Sequence, residues 1–235
     1  MNTNQLLENK YWTDISTEKE AKQKIITHEN FHNSTEHDVK IILENLKLTK
    51  EDNVIDFGCG IGRLVKPISE HCNMILGLDI SEKTLHYSTK YCDGVKNVLF
   101  KPLHSDSCID LGNERIDAIY SLLVLQHIEK CKVLNLLYEF NRLLKVGGKV
   151  FLQFPNMLKS EEMYKRSLEH QHDLGTLFSR LEFYTKEELQ FLFAFAHLDI
   201  VKFIEEGTDF YILAEKKQPY DIEKVPLAVG TKVTL

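Results

Sequence analysis

Val54-Ile55-Asp56-Phe57-Gly58-Cys59-Gly60-Ile61-Gly62-Arg63 is the stretch on which the fold of this chain turns. Asn53 to Phe57 is a short, mostly apolar run and reads as a strand. The glycines at every second position after it let the backbone turn sharply and lie against a ligand with no Cβ in the way. A helix is expected from about Gly62 to His71. The N–H groups of the turn and the positive end of that helix then favour a carboxylate or a phosphate. Asp56 stands just before the turn, where its charge can meet a cationic group.

Working outward, strands and helices alternate. Met74 to Leu78 reads as the second strand, and Leu78-Asp79-Ile80 closes it. Asp79 lies 17 residues after Gly62, near the spacing at which an acid can accept hydrogen bonds from both hydroxyls of a ribose. Ile80 can cover one face of an adenine. Ser81 to Cys92 reads as a helix with Ser81 as N-cap and Lys83 and His86 outward. Val98 to Lys101, Ile116 to Ser121 and Lys149 to Phe154 are further strands, the last stopped by Pro155. A helix around Lys132 to Leu144 precedes Gly147-Gly148, which offers the positive-φ residues of a helix C-cap. Upstream, Thr35 and Asp38 stand where a capping box would open a helix carrying Val39, Ile41, Ile42 and Leu46.

After Pro155 the alternation changes. Residues 156–183 form an amphipathic insertion. Thr185 with Glu188 opens another helix, in which Phe191, Phe193 and Phe195 read as packing residues. Leu198 to Ile204 and Phe210 to Glu215 are two strands so closely joined that they must pair antiparallel. The fold class is therefore α/β: a Rossmann-like seven-stranded sheet, mostly parallel with a C-terminal antiparallel hairpin and helices on both faces. Residues 1–34 read as a helical or irregular cap, 35–216 as the main domain with 156–183 capping the substrate, and 217–235 as a tail.

Composition bounds the function. The chain has 235 residues, 43% of them hydrophobic and 27% charged, which suits one globular domain with additions. The net charge is −6 and no Lys/Arg cluster stands out, so no nucleic-acid partner is expected. The five cysteines (Cys59, Cys72, Cys92, Cys108 and Cys131) are odd in number and show no C-x-x-C spacing. They read as reduced thiols in a cytoplasmic protein. The polar start lacks an apolar signal core, and Leu189 to Leu198 is too short to span a bilayer, so no membrane partner is expected.

A glycine loop alone fits a dinucleotide enzyme as well as other nucleotide binders. Here the spacing is G-x-G-x-G, and the preceding acid suits an aminoacyl sulfonium better than a pyrophosphate. Asp56 to Gly62 resembles the first motif of class I S-adenosylmethionine-dependent methyltransferases. Leu78-Asp79-Ile80 resembles their acidic second motif, and His104-Ser105-Asp106-Ser107 their adenine-reading loop. Ile116 to Ser121 with Leu122 to Ile128 is similar to their fourth-strand motif, and Leu143 to Gly148 to the turn before their fifth strand. The resemblance covers roughly residues 35 to 216 and lies in five motifs in the right order.

That resemblance implies S-adenosylmethionine as cofactor. Gly58 and Gly60 would pass close to its methionine part, and Asp56 would hold the amino group directly or through water. Asp79 would bind the ribose diol and Ile80 would pack on adenine. Asp106, with Ser107 beside it, would accept from the adenine amine, and the backbone of Ser121 or Leu122 would face the methionine amino group. Arg63 would either reach the carboxylate or point outward. The expected reaction is methyl transfer to an oxygen or nitrogen of a small-molecule acceptor. A cofactor-binding regulatory or interaction protein and a nicotinamide-dependent dehydrogenase are the alternatives.

His127 follows the fourth strand, where α/β sheets place ligand chemistry. It is the candidate general base, with a structural role in its loop as the alternative. Trp12, Phe31, Tyr164, His170 and His172 lie outside the shared core and are the candidate acceptor contacts. His170 and His172 form an H-x-H pair with no evident third ligand, so no metal is expected.

Overall fold

The computed structural model describes residues 31–103, 111–172 and 181–221. Helix α1 spans Phe31–Leu46, followed by β1 (Asn53–Phe57), α2 (Val65–Ser69), β2 (Met74–Asp79), α3 (Glu82–Tyr91), β3 (Val98–Pro102) and β4 (Ile116–Ser121). A 3-10 turn at Leu125–His127 leads to α4 (Lys130–Leu143), β5 (Leu144–Pro155), α5 (Glu161–Glu169), α6 (Lys186–Phe195), β6 (Asp199–Glu206) and β7 (Asp209–Glu215).

The strands form one seven-stranded sheet in the order β3-β2-β1-β4-β5-β7-β6. The first five pair in parallel, and β7 pairs antiparallel with both β5 and β6. Chain order reverses between β1 and β4, and at such a point ligands settle beyond the carboxyl ends of the strands. Side chains alternate between the sheet faces. Ile55, Ile119, Leu152 and Phe154 pack with α4 and α6, whereas Val54, Tyr120, Phe151 and Leu213 pack with α1, α2 and α3. Among the described residues no helix is long and apolar enough to cross a membrane.

Local chemistry sets the ends of several elements. The Ser81 hydroxyl accepts the Thr84 N–H and caps α3, and the Thr185 hydroxyl accepts the Glu188 N–H and caps α6. Three expectations need correction. Helix α1 already includes Phe31, so Thr35 and Asp38 lie inside it and form no capping box. The pair Gly147-Gly148 does not end α4, which stops at Leu143. Instead it lies in β5, where the register jumps from Ile116↔Leu144 to Ala118↔Lys149. Gly147 takes φ +84° there and its N–H donates to the Lys216 carbonyl, so these glycines shape a bulge. Finally, only Phe193 of the aromatic run is core: Phe191 is 59% and Phe195 47% exposed. Positions i and i+4 share a helix face, so those two rings lie 4.3 Å apart on the outside.

Candidate active site

The glycine loop is tied to β2. The N–H groups of Gly58 and Cys59 both donate to the Leu78 carbonyl, at 2.8 and 2.9 Å. Gly58 has φ +78°, and a Cβ there would come within 2.3 Å of Val124 Cγ2. Only glycine meets both conditions. The Ser88 hydroxyl donates to the Gly60 carbonyl at 2.7 Å. Cys59 is buried in this loop, and burial pushes its thiol well above the ordinary range. That agrees with a packing role and not with a nucleophile.

Asp79 is held from both sides. Oδ2 accepts the Gly60 N–H and Oδ1 the Ser81 N–H, each at 2.9 Å. Burial nevertheless raises its pKa, outweighing the bonds from Ser81, Gly60 and Ile80. The carboxylate is oriented but under-solvated, a state that favours further hydrogen-bond donors. Ile80, half-buried, follows it.

Asp56 is buried at the end of β1. Its Oδ2 accepts the Tyr120 hydroxyl at 3.0 Å. Burial pushes its pKa up to about 7; the Tyr120 bond and the Arg63 charge pull it down, and the Asp79 charge pushes it further up. A cationic ligand favours the ionised form, so the proton must leave before such a ligand binds. Affinity for an ammonium-bearing cofactor should therefore rise with pH by up to about tenfold per unit below pH 7 and level off above it. Calorimetric titrations with S-adenosylhomocysteine from pH 5.5 to 8.5 check this, and a flat profile would contradict it.

Tyr120 was not foreseen as a site residue. The signal was available in the strand alternation, since Asp56 and Tyr120 are register partners. Arg63 follows neither expected course. It is buried, its Nη2 lies 2.8 Å from Asp38 Oδ2, and its Nη1 donates to the Thr35 hydroxyl at 3.4 Å. It thereby pins α1 to the glycine loop.

The loop after β4 is braced on both sides. The Ser121 hydroxyl donates to the Phe57 carbonyl at 2.8 Å, which joins the ends of β4 and β1. Leu122 is buried. Leu123 takes φ +63°, and its N–H donates to Gln153 Oε1 at 2.9 Å. Gln153, at the end of β5, is a second residue that sequence reasoning missed.

His127 closes the 3-10 turn and is half-buried. Burial lowers its pKa to about 4. At neutral pH the imidazole is uncharged but a weak base, which removes the pKa on which its candidacy as a base partly rested. Nearby, the Glu182 N–H donates to the Gln126 carbonyl and the Met157 N–H to the Tyr184 carbonyl. Both ends of the insertion therefore come down onto the carboxyl edge of the sheet.

The remaining candidates are less concentrated. Tyr164 on α5 meets Phe183 edge to face at 5.3 Å. His170 caps the C-terminal end of α5, and His172 lies exposed beyond it. Among the described residues no three His, Cys, Asp or Glu side chains are grouped to hold a metal. Trp12, Asp106 and Ser107 lie outside the described residues, as does the side chain of Phe31, whose backbone opens α1.

Comparison with known proteins agrees with this geometry. The model of a methyltransferase domain family matches residues 14–202. A juvenile hormone acid O-methyltransferase of Drosophila melanogaster is 29% identical over 148 residues, covering 55% of this chain and 47% of that protein. A phosphoethanolamine N-methyltransferase of Arabidopsis thaliana is 26% identical over 113 residues, covering 48% of this chain and 23% of its own length. The chain thus spans under half the length of these relatives. Among solved structures, geranyl diphosphate C-methyltransferase from Streptomyces coelicolor, in complex with S-adenosyl-L-homocysteine, superposes with a TM-score of 0.64 at 13% identity. That match covers 88% of this chain and 87% of the other. With a family model spanning most of its length and a glycine loop flanked by two strand-end carboxylates, this chain belongs to the class I S-adenosylmethionine-dependent methyltransferases.

Proposed function

We propose that this protein transfers a methyl group from S-adenosylmethionine to an oxygen or nitrogen of a small-molecule acceptor. The observation that carries the reading is the pair of carboxylates at the carboxyl ends of neighbouring strands, Asp56 on β1 and Asp79 on β2, either side of the glycine loop. One suits an ammonium and the other a ribose diol.

When bound, S-adenosylmethionine supplies the electrophilic methyl group. The protein holds and aligns. Asp79 accepts from the ribose hydroxyls, Ile80 covers adenine, and Asp56 with the Leu122 backbone faces the ammonium. Gly58 and Gly60 allow the close approach. Asp106 and Ser107 take the adenine amine in this reading. Trp12, Phe31, Tyr164, His170 and His172 wall the acceptor. Alignment of a lone pair with the methyl–sulfur bond and exclusion of water supply much of the rate. A net charge of −6 supports a small acceptor over nucleic acid. The described cysteines are free thiols, as a reducing cytoplasm would keep them.

His127, with a pKa of about 4, fits a neutral buttress of the β4 loop better than a base. His127→Ala should therefore keep turnover within about fivefold of the parent while lowering both cofactor affinity and melting temperature. A hundredfold fall in turnover with unchanged cofactor affinity would restore it as the base.

The activity itself is tested with methyl-labelled S-adenosylmethionine and a panel of phenols, alcohols and amines. Label in an organic product is the expected result. Tight S-adenosylhomocysteine binding with no product from any member would favour a regulatory binding protein. Binding of NADH in its place would favour a dehydrogenase.

A further inference from the structure

Because β7 runs antiparallel to β5, it starts where the parallel strands end. Asp209 is the register partner of Pro155, and Tyr211 of Gln153. Asp209 shares a strand face with Tyr211, and Tyr211 stacks on Phe151 in the layer that also holds Tyr120. Asp209 therefore stands on the same side of the sheet as Asp56, three strand spacings away, or about 14 Å, and four residues, or about 13 Å, further along towards the carboxyl edge.

Gln153 connects it to the loop after β4. Its Oε1 accepts the Leu123 N–H, which leaves the amide N–H₂ to donate to the Asp209 carboxylate, its other side-chain partner. Gln153 is buried, so this line of hydrogen bonds is fixed in orientation. It runs from the backbone that faces the ammonium in our reading to the start of β7.

The charges around it are already spoken for. Arg63 is held by Asp38 at 2.8 Å, His37 by Glu206 at 2.9 Å and Lys159 by Glu205 at 3.2 Å. Asp209 has neutral partners instead: Gln153, and the Thr208 hydroxyl at 3.3 Å. Among the described residues no cation pairs with it. A half-buried carboxylate with neutral partners gains most from a cationic donor, and an anionic neighbour costs it most. Burial, foremost, and the Asp38 charge both raise its pKa, in keeping with that lack.

We propose that Asp209, held by Gln153, anchors a protonated amine of the acceptor, so that the acceptor is an amine-bearing small molecule rather than a carboxylate or phosphate. This rests on the methyl-transfer reading above.

The test uses matched pairs: tyramine against 4-hydroxyphenylacetate, and 4-amino-1-butanol against 4-hydroxybutyrate. Transfer from labelled S-adenosylmethionine and binding to the S-adenosylhomocysteine complex are both measured. In the parent protein the amine member of each pair should be favoured at least about tenfold in kcat/KM or Kd. Asp209→Asn should bring the members within about threefold, mainly through KM, with S-adenosylhomocysteine affinity unchanged. Preference for the carboxylates, the same preference in Asp209→Asn, or binding of neither member of either pair would overturn the proposal. Failure of the underlying reading would show separately, as loss of S-adenosylhomocysteine binding by the parent protein.

Discussion

Asp79→Ala should bind S-adenosylhomocysteine at least about a hundredfold more weakly than the parent protein. Two hydrogen bonds from ribose hydroxyls to an ionised carboxylate contribute about 1.5 kcal/mol or more each, and roughly 1.4 kcal/mol is tenfold in affinity. The substitution also strips the Gly60 and Ser81 N–H groups of their acceptor and so loosens the glycine loop. The ligand-free protein should change little. The folded pKa of Asp79 is raised above its ordinary value, so its contribution to stability is full only at acid pH and falls as pH rises. Ionisation of this buried group works against the fold, which offsets the lost backbone bonds. The apo variant should therefore melt within a few degrees of the parent. Calorimetry and thermal melts with and without ligand separate the two effects, and an unchanged Kd would remove Asp79 from the cofactor site.

The second large effect lies far from the chemistry. Lys216→Met should cost about 3–5 kcal/mol, a fall of roughly 10 °C in melting temperature. The Lys216 side chain is fully buried. Its Nζ donates to the carbonyls of Asn141 and Leu144, each at 2.8 Å, and to Glu114 Oε1 at 3.0 Å. It thus satisfies carbonyls where α4 passes into β5 and ties the chain after β7 to that point. Methionine fills the same length but gives no hydrogen. Glu114 is held below its usual pKa by the Tyr220 N–H and by Lys216. Its share of the stability is therefore present at neutral pH and is lost as pH falls through the folded pKa. Thermal melts at pH 7 check the expectation, and a shift under about 2 °C would contradict it.

The legible parts of the chain were those with local signals. The strands from β1 to β5 follow apolar runs closed by loop residues, and Ser81 and Thr185 cap their helices as their types suggest. The order of those strands, with the short link before β7, was enough for a mostly parallel sheet with an antiparallel hairpin, while the neighbour order β3-β2-β1-β4-β5-β7-β6 is set by pairings the sequence does not spell out. The illegible parts were set by long-range pairing. Arg63 turns inward because Asp38, 25 residues earlier, awaits it. Gly147 is drawn into a bulge by the backbone of Lys216, not by the helix before it. Phe191 and Phe195 look like core from composition, but their helix already buries Leu189, Leu192 and Phe193.

The strand-end places of Asp56 and Asp79 beside the glycine loop were readable because they sit in a motif. The link from Gln153 to Asp209 was not, because single polar residues in strands gain meaning only from register partners. His127 was placed correctly in the loop after β4, but its pKa depends on burial that local sequence does not encode.

Titration of the purified parent protein with S-adenosylhomocysteine at pH 7.5, followed by calorimetry with NADH as the control ligand, tests the central claim most directly. One site per chain should fill, with a melting temperature that climbs with ligand concentration as native-state binding requires, and NADH should give no heat. Saturable NADH binding with none for S-adenosylhomocysteine would contradict the account.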